Sequence, residues 1–422
     1  MDQLRVQIEK CMGSTIEEVL LHNDKIREEM EKLSGEDKVK LLEFLNEKSD
    51  CAYVAKLLGN FYEDRYLNGE KVALNDSWKW YMKAAELGDP IGMVNVGIYY
   101  ATGLVVKQDY KLAMEFFLKG AERKYSHGMK WVGELYFQGN GVDISFERAF
   151  DWYMKAAELG DSAAMVSLGF MYSNEKGVGK SYVEAMKWYM KAADLGDTDA
   201  MDLIGDVWND GRWADFGQNK EEAVKWYLKS ANLGSWAAMR VIGDRYLFGD
   251  GFAKDYKKAL EWYKMSNDVN ESKEIMLTIG DFYHFGWGVV KNETAAMSWY
   301  VRSIGLGGVD AINKVGDFYY YGHGVEIDYK ESLKWYRKAA LLGNGDAMSS
   351  VGYMYFYGHG CEKDKREGLK WFVKAFENKY VYASMFIAGY YKYEEEGIKP
   401  EKEEIIKWCT KGGGIRVCGC NA

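Results

Sequence analysis

Apolar and polar residues alternate with a helical period through residues 161–196, a segment that represents the rest of the chain. Its first half places apolar side chains at steps of three or four residues, and its second half does so again after a glycine-rich break. That spacing puts the apolar positions on one stripe of an α-helix, so the pattern predicts two amphipathic helices joined by a turn. The stripes are Ala164, Met165, Leu168, Gly169 and Tyr172 in the first helix and Ala185, Trp188, Tyr189, Ala192 and Ala193 in the second.

Short polar residues and glycines mark where these two helices begin and end. Asp161 or Ser162 stands where an N-cap belongs, because a short polar side chain accepts a hydrogen bond from a free backbone N–H. Gly177 and Gly179 interrupt the pattern between the helices, and Gly196 is expected at C′, just after the second helix. The segment is therefore expected to form one helical hairpin.

One glycine and one aromatic pair recur along the chain at intervals of 36 to 38 residues. Two independent markers in step indicate one hairpin copied about ten times, which predicts an all-α solenoid. Gly169 is expected to let a backbone lie close to the ring of Trp188. The marker glycines are Gly59, Gly97, Gly133, Gly169, Gly205, Gly243, Gly280, Gly316, Gly352 and Gly389. The aromatic pairs begin at Trp80, Phe116, Trp152, Trp188, Trp226, Trp262, Trp299, Trp335 and Trp371.

The two ends of the chain depart from the repeat. The first residues lack both markers but show amphipathic patterns around 3–12, 14–32 and 36–47, as a helical cap with a polar outer face would. The last residues are rich in glycine and contain Cys418 and Cys420, which is typical of a flexible tail. The predicted organisation is an N-terminal cap over 1–50, a solenoid over 51–411 and a tail over 412–422.

Composition limits which kinds of partner and which cellular compartment are expected for this chain. A formal charge of −9 disfavours nucleic acid, because phosphate binding needs a basic face. Six irregularly spaced cysteines do not form a disulfide framework. The sequence shows no secretory signal and no apolar run long enough to span a bilayer. A cytoplasmic protein is expected, although delivery into a host cell stays open.

Two local patterns resemble chemical sites but fit them poorly. The run from Gly177 to Ser181 ends like a phosphate-binding loop, yet it lacks the earlier glycine and falls in an inter-helix turn. His323 and His359 occupy one loop position in successive repeats, where stacking could bring them together as a weak metal site or a pH-sensitive contact; no third ligand follows at zinc spacing. No nucleophile stands in a recognisable elbow. We therefore expect no catalytic residues, no cofactor and no metal.

The repeat resembles the Sel1-like repeats, relatives of the tetratricopeptide repeat. Residues 311–343 read AINKVGDFYYYGHGVEIDYKESLKWYRKAALLG, and residues 347–376 follow the same pattern. The similarity extends over about residues 50–411. It implies a right-handed superhelix with first helices on the concave face, an adaptor role toward proteins or peptides, and no universal catalytic residues.

Positions that vary between repeats are the candidates for binding. Counted from the marker glycine, positions −3, +1 and +4 form a stripe beside the core stripe of the first helix, here called the first-helix face. Repeats that stack in register would turn its acidic +1 residues into a track flanked by aromatic side chains. The alternative is that these acids bond adjacent-repeat amines and the aromatics seal loops. The candidate partner-binding residues are Glu134, Asp206, Asp244, Asp281, Asp317, Arg240, His284, Tyr320 and Phe356.

The leading hypothesis is a non-catalytic scaffold that binds protein or peptide partners, of basic character, along this face. One alternative is an effector that docks on a host protein, which differs only in where the chain is delivered. Another is a small-ligand-binding or hydrolytic repeat protein, which would need a convergent polar pocket or a bound metal.

Overall fold

The computed structural model describes residues 2–12, 26, 29–30, 32–33, 35–67, 73–211, 213 and 215–392. Regular structure in these residues is helical, and they include no β-strand. The chain divides into two compact units, Met1–Gln218 and Asn219–Ala422. No described helix is both long enough and apolar enough to cross a membrane.

In the first unit consecutive helices pack as hairpins. The described helices of this unit are α1 (Asp2–Cys11), α2 (Gly35–Glu47), α3 (Ala52–Leu67), α4 (Ala73–Glu86), α5 (Pro90–Thr102), α6 (Tyr110–Glu122), α7 (Ser126–Gln138), α8 (Phe146–Glu158), α9 (Ser162–Ser173), α10 (Tyr182–Asp194) and α11 (Thr198–Asp210).

The second unit continues the same construction. Its described helices are α12 (Lys220–Asn232), α13 (Trp236–Phe248), α14 (Tyr256–Val269), α15 (Lys273–Phe285), α16 (Glu293–Gly305), α17 (Val309–Tyr321), α18 (Tyr329–Leu341), α19 (Gly345–Tyr357), α20 (Lys365–Glu377) and α21 (Ala383–Lys392). The predicted all-α solenoid of helical hairpins is confirmed.

The hairpin of α9 and α10 shows why the sequence folds this way locally. Asp161 is the N-cap of α9, and its carboxylate accepts a hydrogen bond from the Ala164 N–H at 2.9 Å. Gly196 follows α10 with a φ of +88°, a left-handed conformation that glycine adopts without steric cost. The predicted helix ends are therefore confirmed, with Asp161 rather than Ser162 as the cap.

The marker glycines allow a tyrosine or phenylalanine ring to lie directly on the first helix. A Cβ atom on Gly169 would overlap the Tyr189 ring, so the expectation that Gly169 accommodates Trp188 is wrong. Trp188 instead lies under the Lys191 ammonium, whose Nζ is 4.0 Å from the ring centroid. The same glycine contact pairs Gly59 with Tyr81, Gly97 with Phe117, Gly133 with Tyr153, Gly243 with Tyr263, Gly280 with Tyr300, Gly316 with Tyr336 and Gly352 with Phe372.

Helices α1 and α2 lie where the first and third N-terminal amphipathic patterns predict them. They share an apolar cluster with α3, as a cap on the first repeat would. The cluster includes Leu4, Ile8, Leu41, Leu45, Val54 and Leu57. The cap over 1–50 and the solenoid over 51–411 stay predictions, and the middle N-terminal helix falls mostly outside the described residues. The tail over 412–422 lies entirely outside them.

Candidate functional site

Acidic residues predicted at position +1 accept hydrogen bonds from buried tyrosines, as Glu134, Asp244, Asp281 and Asp317 show. Each tyrosine is the second member of the aromatic pair, on the second helix of the same hairpin, so these donors are hydroxyls of the same repeat. The hydroxyl of Tyr153 donates to Glu134 at 2.7 Å, that of Tyr263 to Asp244 at 2.6 Å, that of Tyr300 to Asp281 at 2.7 Å and that of Tyr336 to Asp317 at 2.7 Å. Burial, together with these carboxylates, raises the pKa of all four tyrosines.

The acids of the second unit differ in whether a cation accompanies them. Arg240 Nη1 lies 3.1 Å from Asp244 on the same helix. Lys314 Nζ lies 3.8 Å from Asp281, and here the partner is an amine of the adjacent repeat. Asp317 forms no ion pair within the described part of the chain. Of these three, Asp317 is therefore the carboxylate beside which a partner could place a cation.

The surroundings of Asp317 disfavour its charge. Burial raises the pKa of this carboxyl above its ordinary value, and the neighbouring charge of Asp346 acts in the same direction. The hydrogen bond from Tyr336 and the charge of Lys314 oppose the rise without cancelling it. A cation placed beside Asp317 would relieve this cost.

A concave pocket of about 520 Å³ opens between α17 and α19. Two predicted residues, Asp317 and Tyr320, line it. The hydroxyl of Tyr320 lies 2.8 Å from Nδ1 of His359, which fixes the ring at the pocket wall. The residues that carry the chemistry of this α17–α19 pocket are Asp317, Tyr320, Tyr321, Asp346, Ser350 and Tyr353.

A second pocket, of about 370 Å³, lies between α9 and α11 in the first unit and contains the predicted Asp206. Both pockets use positions +1, +4 and +5 of one repeat and −2, +1 and +2 of the next, and each reaches the tyrosine of the aromatic pair. The pocket is therefore a property of the repeat geometry. The main side chains of this α9–α11 pocket are Phe170, Asn174, Lys180, Asp206, Asp210 and Trp213.

The remaining aromatic candidates, His284 and Phe356, line neither pocket. Nδ1 of His284 lies 2.7 Å from Oε2 of Glu293, and its ring centroid is 4.8 Å from that of His323. His323 thus contacts the +4 side chain of the preceding repeat, as His359 contacts Tyr320. No group of three or more His, Cys, Asp or Glu residues in the described ranges is arranged to hold a metal ion.

Glu293 is the carboxylate beside these histidines, and its negative charge is already stabilised by neighbouring donors. Burial disfavours the charge of Glu293, but hydrogen bonds from Lys291 and His284 outweigh it and hold its pKa below the usual range. Burial likewise lowers the pKa of His323. This cluster stabilises the loop between repeats and leaves little unpaired charge for a partner.

Sequence reasoning missed several residues of the α17–α19 pocket, chiefly Asp346, Ser350 and Tyr353. It searched positions −3, +1 and +4, and so passed over positions −6 and −2, where Asp346 and Ser350 lie. Tyr353 occupies +1 in the repeat of Gly352, where a tyrosine replaces the acid. That change of residue type was the available signal.

The comparisons with known proteins agree with the fold. Similar structures include a protective antigen present in uropathogenic Escherichia coli strains that displays an SLR fold, with 26% identity and a TM-score of 0.60 over 88% of this chain and 79% of that one. A Sel1 repeat protein from Oxalobacter formigenes is similar with 25% identity and a TM-score of 0.54, over 74% of this chain and 90% of that one. A comparison with curated proteins gives no match.

The family model described as Sel1 repeat matches the sequence in successive segments. The tenth marker, Gly389, lies beyond the last of them. The matched segments are residues 55–89, 90–125, 126–161, 162–197, 199–235, 236–268, 277–307, 309–344 and 345–380. Because these segments account for most of its length, the chain belongs to the Sel1 repeat family.

Proposed function

We propose that this chain is a non-catalytic scaffold that binds a protein partner through an extended peptide segment on the first-helix face. Sel1 repeat proteins are generally protein-interaction scaffolds and typically non-catalytic. The observation that carries the proposal is the recurrence of one pocket, at the same repeat positions, in each unit. A pocket lined by first-helix positions suits an extended peptide that places one of its side chains into it.

The division of labour between positions supports this proposal. The marker glycine and the tyrosine ring are packed in the core, where a change costs stability. The pocket side chains at +4 and +5 are partly exposed and differ between the two units, with Tyr320 and Tyr321 in one and Ser173 and Asn174 in the other. Side chains that vary on a constant frame can select a partner without altering the fold.

Variants in which a large side chain fills one of the pockets test the proposal. A displayed library of random linear peptides is selected on the full chain, and affinities are then measured for two variants, Ser350→Trp and Ser173→Trp, which fill one pocket each. The control variant, Leu341→Trp, adds the same ring on the second helix α18 at a side chain that is 80% exposed.

We expect the selected peptides to lose at least about tenfold affinity for one blocked variant, or about 1.4 kcal/mol, and none for Leu341→Trp. Binding of basic peptides should also weaken with added salt, because exposed charges are screened. The proposal fails if no peptide is enriched, or if the enriched peptides bind wild type and both blocked variants equally.

A further inference from the structure

The α17–α19 pocket is lined by acidic side chains without basic ones. Asp317 and Asp346 both line it, and the described lining residues include no lysine, arginine or histidine. The α9–α11 pocket differs, because Lys180 lines it together with Asp206. The negative charge of the α17–α19 pocket is therefore not balanced from within its own wall.

Both carboxylates are held in place by neighbours that leave acceptor positions open. Asn313 Nδ2 donates to Asp346 Oδ2 at 2.9 Å. Asp317 Oδ1 accepts from Tyr336, as described above. Each carboxylate therefore keeps one oxygen, Oδ2 of Asp317 and Oδ1 of Asp346, that can accept an N–H group from a ligand.

Aromatic rings form the rest of the wall. Tyr320 packs against Tyr321 at a centroid distance of 4.8 Å and against Tyr353 at 6.4 Å. Phe386 closes the far side, 6.4 Å from the ring of Tyr353. Tyr321 is 61% exposed, so the face of a ring is open to a ligand that enters from solvent. Tyrosine faces attract cations through their quadrupole.

We infer that the α17–α19 pocket binds the guanidinium group of an arginine side chain in a partner peptide. The inference rests on the proposed function, since it names the side chain that this scaffold recognises. A guanidinium carries five N–H donors in a plane, which suits two carboxylates, and its flat faces stack on aromatic rings. A lysine ammonium has the charge but no planar face, so we expect it to bind less tightly.

The test uses three peptide mixtures that differ at one fixed central residue, which is arginine, lysine or citrulline. Citrulline has nearly the shape of arginine without its charge. Binding to the full chain is measured by fluorescence anisotropy. The first variant, Ser350→Arg, supplies a competing guanidinium from α19, and the second, Asp346→Asn, removes one carboxylate. The matched control, Asp151→Asn, removes an exposed carboxylate on the second helix α8, away from the first-helix face and from both pockets.

We expect the arginine mixture to bind roughly tenfold more tightly than the citrulline mixture, with lysine between them. Ser350→Arg and Asp346→Asn should abolish that preference, and Asp151→Asn should keep it. Equal binding of arginine and citrulline overturns the inference, as does a preference that survives in Ser350→Arg. A lysine preference overturns the guanidinium assignment.

The two proposals fail in different ways. If random peptides bind wild type and are blocked by Ser350→Trp but show no arginine preference, the guanidinium inference fails and the scaffold stands. If no random peptide binds, a blocked single residue, N-acetylarginine methylamide, is titrated into the chain by NMR. Shifts of pocket tyrosine signals that Asp346→Asn removes would keep the guanidinium site while the scaffold proposal falls, and unchanged signals would overturn both.

Discussion

The α9–α11 and α17–α19 pockets occupy the same repeat positions but differ in whether a basic side chain accompanies their carboxylates. In the first, Lys180 accompanies Asp206, and Trp213 stacks on Tyr182 with centroids 4.7 Å apart. In the second, tyrosines surround two carboxylates that no lining cation balances. The comparison teaches that the packed glycine and tyrosine give the pocket its shape, whereas the variable positions give it its chemistry. Each part can be altered separately.

The largest effect should come from the shared packing. In the variant Gly316→Ala the new Cβ would lie 2.5 Å from Cδ1 of Tyr336, a ring that is 3% exposed and has no room to move. Overpacking of this kind costs about 1–3 kcal/mol, and the gain of about 1 kcal/mol in helix propensity offsets part of it. We expect a net loss of up to about 2 kcal/mol, measured by urea unfolding followed by circular dichroism. Gly169→Ala should behave alike in the first unit.

The matched control for the packing prediction is Gly305→Ala. Gly305 ends α16, and a Cβ atom added there would meet no neighbouring side chain or other helix within 4 Å. This variant should therefore be as stable as wild type or slightly more stable. If Gly316→Ala were equally stable, the glycine–tyrosine contact would not be what shapes the α17–α19 pocket.

The same comparison shows why the helices and caps could be predicted from the sequence, whereas the contacts between helices could not. Periodicity revealed the helices and the Asp161 cap, because a stripe and a short polar residue are local signals. It misassigned the ring over Gly169, because Trp188 and Tyr189 are neighbours in sequence and only their orientation on α10 decides which one faces α9. The acids at +1 were found, yet their tyrosine donors lie 19 residues away, and Asp346 reaches the pocket from the next repeat. Contacts between helices depend on how the helices are rotated, which residue spacing alone leaves open.

A smaller effect on stability should distinguish Asp317 from Asp244 and Asp281, each of which lies beside a cation. Burial raises the pKa of Asp317, so its ionised form costs stability at neutral pH, and the cost disappears as pH falls through the folded-state pKa. Asp317→Asn should therefore resist urea at least as well as wild type near neutral pH, since the amide oxygen can still accept from Tyr336. The difference between the two proteins should shrink toward about pH 4.

The control for this pH dependence is Asp281→Asn, which removes a carboxylate that lies 3.8 Å from Lys314. Losing a partly exposed ion pair costs about 0–1 kcal/mol, so this variant should gain nothing at neutral pH. A stability of Asp317→Asn that falls clearly below wild type at neutral pH would show that the ionised Asp317 stabilises the fold. The contrast between the two acids would then be lost.

The smallest effect concerns the second helices that support the two pockets. Lys191 Nζ lies 4.0 Å from the Trp188 ring centroid on α10, whereas Lys338 Nζ lies 5.2 Å from that of Trp335 on α18. Exposed cation–π contacts contribute about 0.5–1 kcal/mol, and the attraction weakens with distance. Lys191→Met should therefore cost about 0.5 kcal/mol in urea unfolding and Lys338→Met less, with methionine chosen for its similar helix propensity.

Each lysine also interacts favourably with the C-terminal end of its helix, and a double-mutant cycle separates that contribution. In a Trp188→Leu background no aromatic face remains, so the cost of Lys191→Met should fall to the part due to the helix end. That residual should match the equivalent value at Lys338 in Trp335→Leu, because both lysines stand three residues after their tryptophan. Equal costs in both backgrounds would show that the ring contributes nothing, and that the two supporting helices differ only in geometry and not in energy.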